Sequence, residues 1–144
     1  MAKISSAEWE VMRVLWTKGE TTSTEITKIL SSKQDWSAST VKTLLGRLAD
    51  KGYLTSRREG RTYLYQAVLN EEEANLTAVY EVLSKICLTK HSQLLGELIQ
   101  QTPMTKEQIK DLQEIIASKE SVGRVQCDCQ PGQCHCVSHV EENQ

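Results

Sequence analysis

Ser37-Ala38-Ser39-Thr40-Val41-Lys42-Thr43-Leu44-Leu45-Gly46-Arg47-Leu48-Ala49-Asp50-Lys51-Gly52 is the stretch on which the fold turns. Ser37 is placed to cap a helix, and Val41, Leu44, Leu45 and Leu48 recur at the i, i+3, i+4, i+7 spacing that builds one apolar face. Gly52 ends it. Ser39, Thr43 and Gly46 lie away from the apolar stripe, with Thr40, Lys42 and Arg47 on its flanks. A polar face this compact is either simply solvated or kept for another surface.

Upstream, Ser5 with Glu8 and Thr22 with Glu25 show the spacing of a capping box and predict two short amphipathic helices. The first carries Trp9, Met12, Leu15 and Trp16 inward and ends at Gly19; the second carries Ile26, Ile29 and Leu30. Downstream, Tyr53–Arg58 and Arg61–Gln66 read as strands joined through Glu59-Gly60. Arg57, Arg58 and Arg61 crowd the tip of that hairpin. Three helices and a basic hairpin within residues 1–70 predict a winged helix-turn-helix, in which the third helix enters a major groove and the wing tracks phosphates. Ser39, Thr40, Lys42, Thr43 and Arg47 are then the candidate groove-facing residues. Arg57, Arg58 and Arg61 are the candidate wing contacts. Trp9, Trp16 and Trp36 read as core residues, since duplex readers seldom need stacking platforms.

The charge supports this division. Residues 1–70 hold 11 Lys+Arg against 7 Asp+Glu, whereas residues 71–144 hold 6 against 12, so a formal charge of −2 conceals a basic half and an acidic half. Asn70 can cap a helix that opens on Glu71, Glu72 and Glu73 and bears Leu76, Val79, Tyr80, Leu83, Ile86 and Cys87. A second segment holds Leu94, Leu95, Leu98 and Ile99. After Pro103 the Thr105/Gln108 pair starts a last helix with Ile109, Leu112, Ile115 and Ile116. Residues 71–120 are too few to bury three apolar faces alone, which predicts a helical dimerisation domain. A two-fold dimer would present two reading helices to an inverted-repeat operator.

Residues 121–144 form a tail without helical period, and it carries Cys127-Asp128-Cys129-Gln130-Pro131-Gly132-Gln133-Cys134-His135-Cys136, a C-x-C-x4-C-x-C hook. Pro131-Gly132 favours a turn that folds the two cysteine pairs together. Four soft thiolates, Cys127, Cys129, Cys134 and Cys136, suit one tetrahedral Zn(II) or a small Cu(I) cluster. C-x-C pairs are tighter than the C-x2-C of structural zinc sites, which favours copper as the signalling metal. His135 and His139 are not needed to complete the shell, Asp128 is a poor partner for a soft metal, and Cys87 reads as a small buried hydrophobe outside the site.

No apolar run is long enough to span a bilayer, and the N-terminus lacks the apolar core of a secretory signal. The protein is expected in the reducing cytoplasm, where clustered cysteines bind metal rather than form a disulfide framework. There is no Gly-rich phosphate loop, no H-E-x-x-H and no Cys–His nucleophile set within a folded domain, so an enzyme is not expected.

The stretches Ser6-Ala7-Glu8-Trp9-Glu10-Val11-Met12, Thr40–Leu48, Lys51-Gly52-Tyr53-Leu54 and the hook together resemble the BlaI/MecI/CopY family of winged-helix repressors, and the hook resembles its CopY-type, copper-responsive branch. The resemblance implies a homodimer that occupies an inverted-repeat operator of copper-efflux genes in its apo or Zn(II) form. It further implies release when a copper chaperone delivers Cu(I) and zinc leaves the hook. The antibiotic-responsive branch lacks the cysteine tail and is inactivated by proteolysis; nothing in this chain resembles its cleavage signal. Two rivals remain at this level, a copper- or zinc-buffering or chaperone protein, and a constitutive DNA-binding repressor with a structural zinc clasp.

Overall fold

A computed structural model describes residues 3–136. The elements in order are α1 (Ser6–Lys18), β1 (Thr21–Thr22), α2 (Ser23–Gln34), α3 (Ala38–Asp50), β2 (Leu54–Glu59), β3 (Thr62–Ala67), α4 (Glu71–Leu83), a 3-10 turn (Leu88–Lys90), α5 (His91–Gln101) and α6 (Lys106–Ser118). The fold is mainly helical with a small antiparallel sheet, a winged helix followed by further helices and a cysteine-bearing segment. The chain divides into two compact units, Met1–Leu76 and Thr77–Gln144.

In the first unit each helix starts where a hydroxyl can satisfy a free N–H. Ser5 Oγ accepts from the Glu8 N–H at 3.1 Å, Thr22 Oγ1 from Glu25 at 3.2 Å and Ser37 Oγ from Thr40 at 3.2 Å. The apolar stripes of α1, α2 and α3 meet in one core of Val11, Met12, Leu15, Ile26, Val41, Leu45 and Leu48, all essentially without solvent contact. Two sequence expectations are corrected here. The boxes at Ser5 and Thr22 are half made: each hydroxyl accepts its N–H, but no return bond comes from Glu8, whose carboxylate pairs with Lys51, or from Glu25. Ile29 does not turn inward with Ile26 and Leu30; it is 37% exposed and lines an open groove with Val14 and Lys33, since the face that a short helix buries is narrower than the spread of these three residues. Trp16 and Trp36 pack against the core. Trp9 and Trp16 meet edge-to-face with ring centroids 5.5 Å apart, and Trp16 Nε1 donates to the Leu69 carbonyl at 2.8 Å.

The hairpin is present with a shifted tip. Glu59 faces Thr62, so the loop is Gly60-Arg61 rather than Glu59-Gly60. Gly60 has φ +62°, as the first position of a two-residue loop of the II′ kind requires. A third strand, with no signal of its own in the sequence, completes the sheet: Thr21 and Thr22 pair with Tyr65 and Leu64, giving the order β1-β3-β2.

The second unit takes up the chain within α4, whose start is fixed by the Glu73 N–H donating to Asn70 Oδ1 at 3.0 Å. The helix stops at Leu83, so Ile86 and Cys87 are not on its face as the apolar period suggested. The Lys85 and Ile86 N–H groups turn back onto the Val82 and Leu83 carbonyls, and His91 Nε2 donates to the carbonyls of Leu83 and Ile86 at 2.9 Å each, closing the turn. At α6 the capping box of Thr105 and Gln108 is complete in both directions. Val79, Tyr80, Leu95, Leu98, Ile99, Ile109, Ile115 and Ile116 remain between 43% and 63% exposed, so these helices leave their apolar faces open. No helix among the described residues is long and apolar enough to cross a membrane.

Candidate functional site

Two arrangements carry chemistry. The first is the outer face of α3. The chain passes from α2 to α3 through Asp35-Trp36-Ser37, where Asp35 takes the left-handed conformation at φ +52° that ends α2 sharply. Burying Val41, Leu44, Leu45 and Leu48 turns Ser39, Thr40, Lys42, Thr43 and Arg47 to solvent together. Thr43 Oγ1 donates to the Ser39 carbonyl at 3.0 Å, leaving its lone pairs and methyl to face outward, while the Thr40 and Ser37 hydroxyls lie 3.1 Å apart. Gly46 on the same side has no atom within 4 Å of the place a Cβ would take, so the helix surface is low there. The face offers one ammonium, one guanidinium and short hydroxyl side chains on a rigid element.

The wing is less uniform than its sequence. Arg58 and Arg61 are exposed at the tip, with Arg58 Nε donating to the Gly60 carbonyl at 3.0 Å. Arg57 is held by Glu20 from the turn before β1, and by Glu59 at 3.4 Å. Its charge is therefore compensated within the first unit, which distinguishes it from its two neighbours.

The second arrangement lies in the second unit. The Gln130 carbonyl accepts from the Gln133 N–H at 3.0 Å across Pro131-Gly132, and Gly132 has φ +95°, the third position of a type II turn. The turn folds the hook on itself and sets Cys127 Sγ 3.3 Å from Cys134 Sγ. A residue from outside the hook joins them. Cys87 Sγ lies 3.4 Å from Cys127 Sγ and 3.6 Å from Cys136 Sγ, and the sulfurs of Cys87, Cys127, Cys129 and Cys134 all lie within 4.8 Å of one another. Cys87 is buried, as the sequence suggested, but its sulfur belongs to the cluster that the sequence reading excluded it from. No local spacing links position 87 to position 127. Asp128 stands aside from the sulfurs and accepts from the Leu88 N–H at 3.2 Å, while His135 is exposed. His139 lies outside the described residues.

None of the five cysteines is joined in a disulfide. Hydrogen bonds from the Thr89 hydroxyl and N–H lower the Cys87 thiol to about 6. Lost hydration and the neighbouring Cys87 sulfur push Cys129 up to about 11. Cys127 also rises, since the N–H of Cys129 that favours its thiolate is outweighed by lost hydration and adjoining sulfurs. Sulfurs this close cannot all ionise without a cation among them, and a set of thiolates selects a soft one such as Zn(II) or Cu(I). The donor set fits such a metal.

Residues 4–118 match the family described as penicillinase repressor. An uncharacterized 16.5 kDa protein from the ptsI 3′ region of Latilactobacillus sakei is 39% identical over 93% of each chain. The methicillin resistance regulatory protein MecI of Mammaliicoccus sciuri is 26% identical over 81% of this chain and 95% of its own. Among solved structures, that of the CopR repressor is 42% identical over 48% of this chain and 100% of its own, with a TM-score of 0.41.

Proposed function

Since the chain belongs to the penicillinase repressor family, we propose that it is a copper-responsive transcriptional repressor, binding an inverted-repeat operator as a homodimer and released when its thiolates exchange zinc for Cu(I). The observation that carries this reading is the gathering of four mutually adjacent sulfurs in a chain whose other unit is a winged helix with a free polar recognition face.

Residues 1–70 form the DNA-binding domain in this reading. Lys42, Thr40 and Thr43 reach base edges, with Ser39 and Arg47 beside them, and Arg58 and Arg61 of the wing meet phosphates. Arg57 contributes less, because Glu20 and Glu59 already satisfy it. Residues 71–120 dimerise; the open apolar faces of α5 and α6 support a second copy as their cover, since so much exposed Leu and Ile is unusual for an isolated monomer. The tail at 121–144 supplies Cys127, Cys129, Cys134 and Cys136 to the sensor.

Bound Zn(II) would offset two of the four thiolate charges and hold the sulfurs together. The residues around it have definite tasks. The Pro131-Gly132 turn sets the two cysteine pairs face to face, Thr89 holds the Cys87 sulfur in place, and Asp128 fastens the tail to the Leu88 N–H. The same thiolates would hold Cu(I) with fewer sulfurs per ion, in an arrangement different from that around zinc. The genes controlled are those of copper efflux and the metal arrives from a copper chaperone, both resting on the resemblance of the hook to the copper-responsive branch.

The test is a gel shift on an inverted-repeat promoter fragment, in which zinc-loaded protein is titrated with Cu(I) under anaerobic, reducing conditions while zinc release is followed. Joint loss of zinc and DNA supports a sensor. Zinc loss with DNA still bound would make the cluster a clasp or a store.

A further inference from the structure

The hook alone contains four cysteines, enough to close a zinc shell on itself, yet the geometry points to a different set: we propose that the resting zinc shell is Cys87, Cys127, Cys129 and Cys134, with Cys136 left outside it as the spare thiol. The inference rests on the metal-responsive reading above and deepens it.

Three observations carry it. The first is distance. A tetrahedral Zn(II) with metal–sulfur bonds of ~2.3 Å has sulfur–sulfur edges of ~3.8 Å. The four proposed sulfurs are already within 4.8 Å of one another, with Cys87–Cys127 at 3.4 Å and Cys127–Cys134 at 3.3 Å. Cys136 touches Cys87 at 3.6 Å and the Thr89 hydroxyl at 3.4 Å but lies outside that mutual set.

The second observation is the placement of Cys87. It follows α4 and precedes the 3-10 turn at Leu88–Lys90, a turn closed by the Lys90 N–H on the Cys87 carbonyl at 2.9 Å. Thr89 Oγ1 sits 3.0 Å from its sulfur. A buried thiol on a folded turn is pre-positioned, whereas a ligand on an extended tail loses conformational freedom when it binds. The third is Asp128, which hydrogen-bonds the Leu88 N–H at 3.2 Å and so brings the Cys127/Cys129 pair to the same turn by a contact independent of sulfur.

The consequence is mechanical. A shell closed within the hook would change only the tail, but a shell that includes Cys87 fastens the tail to the junction of α4 and α5. Metal exchange can then act on the helices proposed to dimerise. Cys136, adjoining the shell, would be the thiol left open to an incoming soft cation.

Co(II) replacing Zn(II) reports the number of thiolates through its sulfur-to-metal charge-transfer band. The full-length wild type, Cys87→Ser and Cys136→Ser would be compared, with Zn(II) affinity measured by chelator competition and fold checked by circular dichroism and apo-operator binding. Cys87→Ser is expected to lose about a quarter of the band, one thiolate in four, and to weaken zinc by more than ~10-fold. Cys136→Ser is expected to keep both. The reverse ranking, or equal losses, overturns the assignment and returns the shell to the hook. Should Cys87→Ser misfold, Cys136→Ser decides alone, since loss of one thiolate there is incompatible with the proposed set. Failure of the wild type to bind either metal would instead remove the metal-responsive reading itself.

Discussion

Lys51 Nζ lies 2.6 Å from Glu8 Oε2, tying the end of α3 to the first turn of α1. The carboxylate side is almost wholly buried, with 4% of the Glu8 side chain and 26% of Lys51 exposed, and Lys51 also donates to the Lys3 carbonyl at 2.7 Å. Removing the cation leaves a buried carboxylate without its charge partner. Lys51→Met should therefore cost about 3 kcal/mol of stability, and Glu8→Leu together with Lys51→Met should recover part of it. Urea denaturation followed by circular dichroism reads both. A loss for Lys51→Met below ~0.5 kcal/mol, the level of a surface ion pair, would mean that the pair does not fix α3.

Trp16 has a narrower task. Its indole N–H satisfies the Leu69 carbonyl just after the sheet, and Trp16→Phe keeps the ring but removes the donor. The expected cost is about 1 kcal/mol, or ~4–8 °C in the melting temperature of a domain of this size. An unchanged melting temperature would show that water replaces the indole freely.

On DNA the two classes of contact should separate by salt. Lys42→Ala should cost ~1–3 kcal/mol on the preferred operator and relax discrimination against altered bases, while Arg61→Ala should weaken all sequences alike and lower the salt slope by about one. Arg57→Ala should do least of the wing variants, because Glu20 and Glu59 already hold it. Fluorescence anisotropy across a salt series distinguishes them, and an Arg57 effect as large as that of Arg61 would place the arginine on phosphate after all.

Sensing should separate from DNA binding. The double substitution Cys127→Ser, Cys129→Ser is expected to leave operator binding within about twofold, a ~0.4 kcal/mol change, and to abolish release by Cu(I) in the gel shift. Continued release by copper would exclude these sulfurs as the sensor.

The open apolar faces of α5 and α6 predict self-association. Leu98→Lys with Ile116→Lys should convert a dimer to a monomer in sedimentation and weaken operator binding, since one recognition helix then acts alone. A wild type that sediments as a monomer would require another cover for these residues.

Much of this molecule was legible in order along the chain. Ser5, Thr22, Ser37, Asn70 and Thr105 mark helix starts because capping reaches only three residues ahead, and all five side chains accept the N–H expected of them. The stripe Val41, Leu44, Leu45, Leu48 defined both the core face of α3 and, by exclusion, its outward face. The hook's turn at Pro131-Gly132 was equally local.

What sequence alone determined, then, is whatever a residue settles with neighbours four or fewer positions away: where helices start, that a hairpin forms, and the turn of the hook. Tertiary structure alone decided the partners reached across long stretches of chain. It gave Thr21 and Thr22 a strand by laying them on Tyr65 and Leu64, drew the Glu8 carboxylate from its cap to Lys51, neutralised Arg57 with Glu20, and brought Cys87 among the sulfurs of the hook. A charge or a thiol carries no sequence signal of which distant group will meet it. That meeting depends on how the burial of the apolar faces closes the intervening chain.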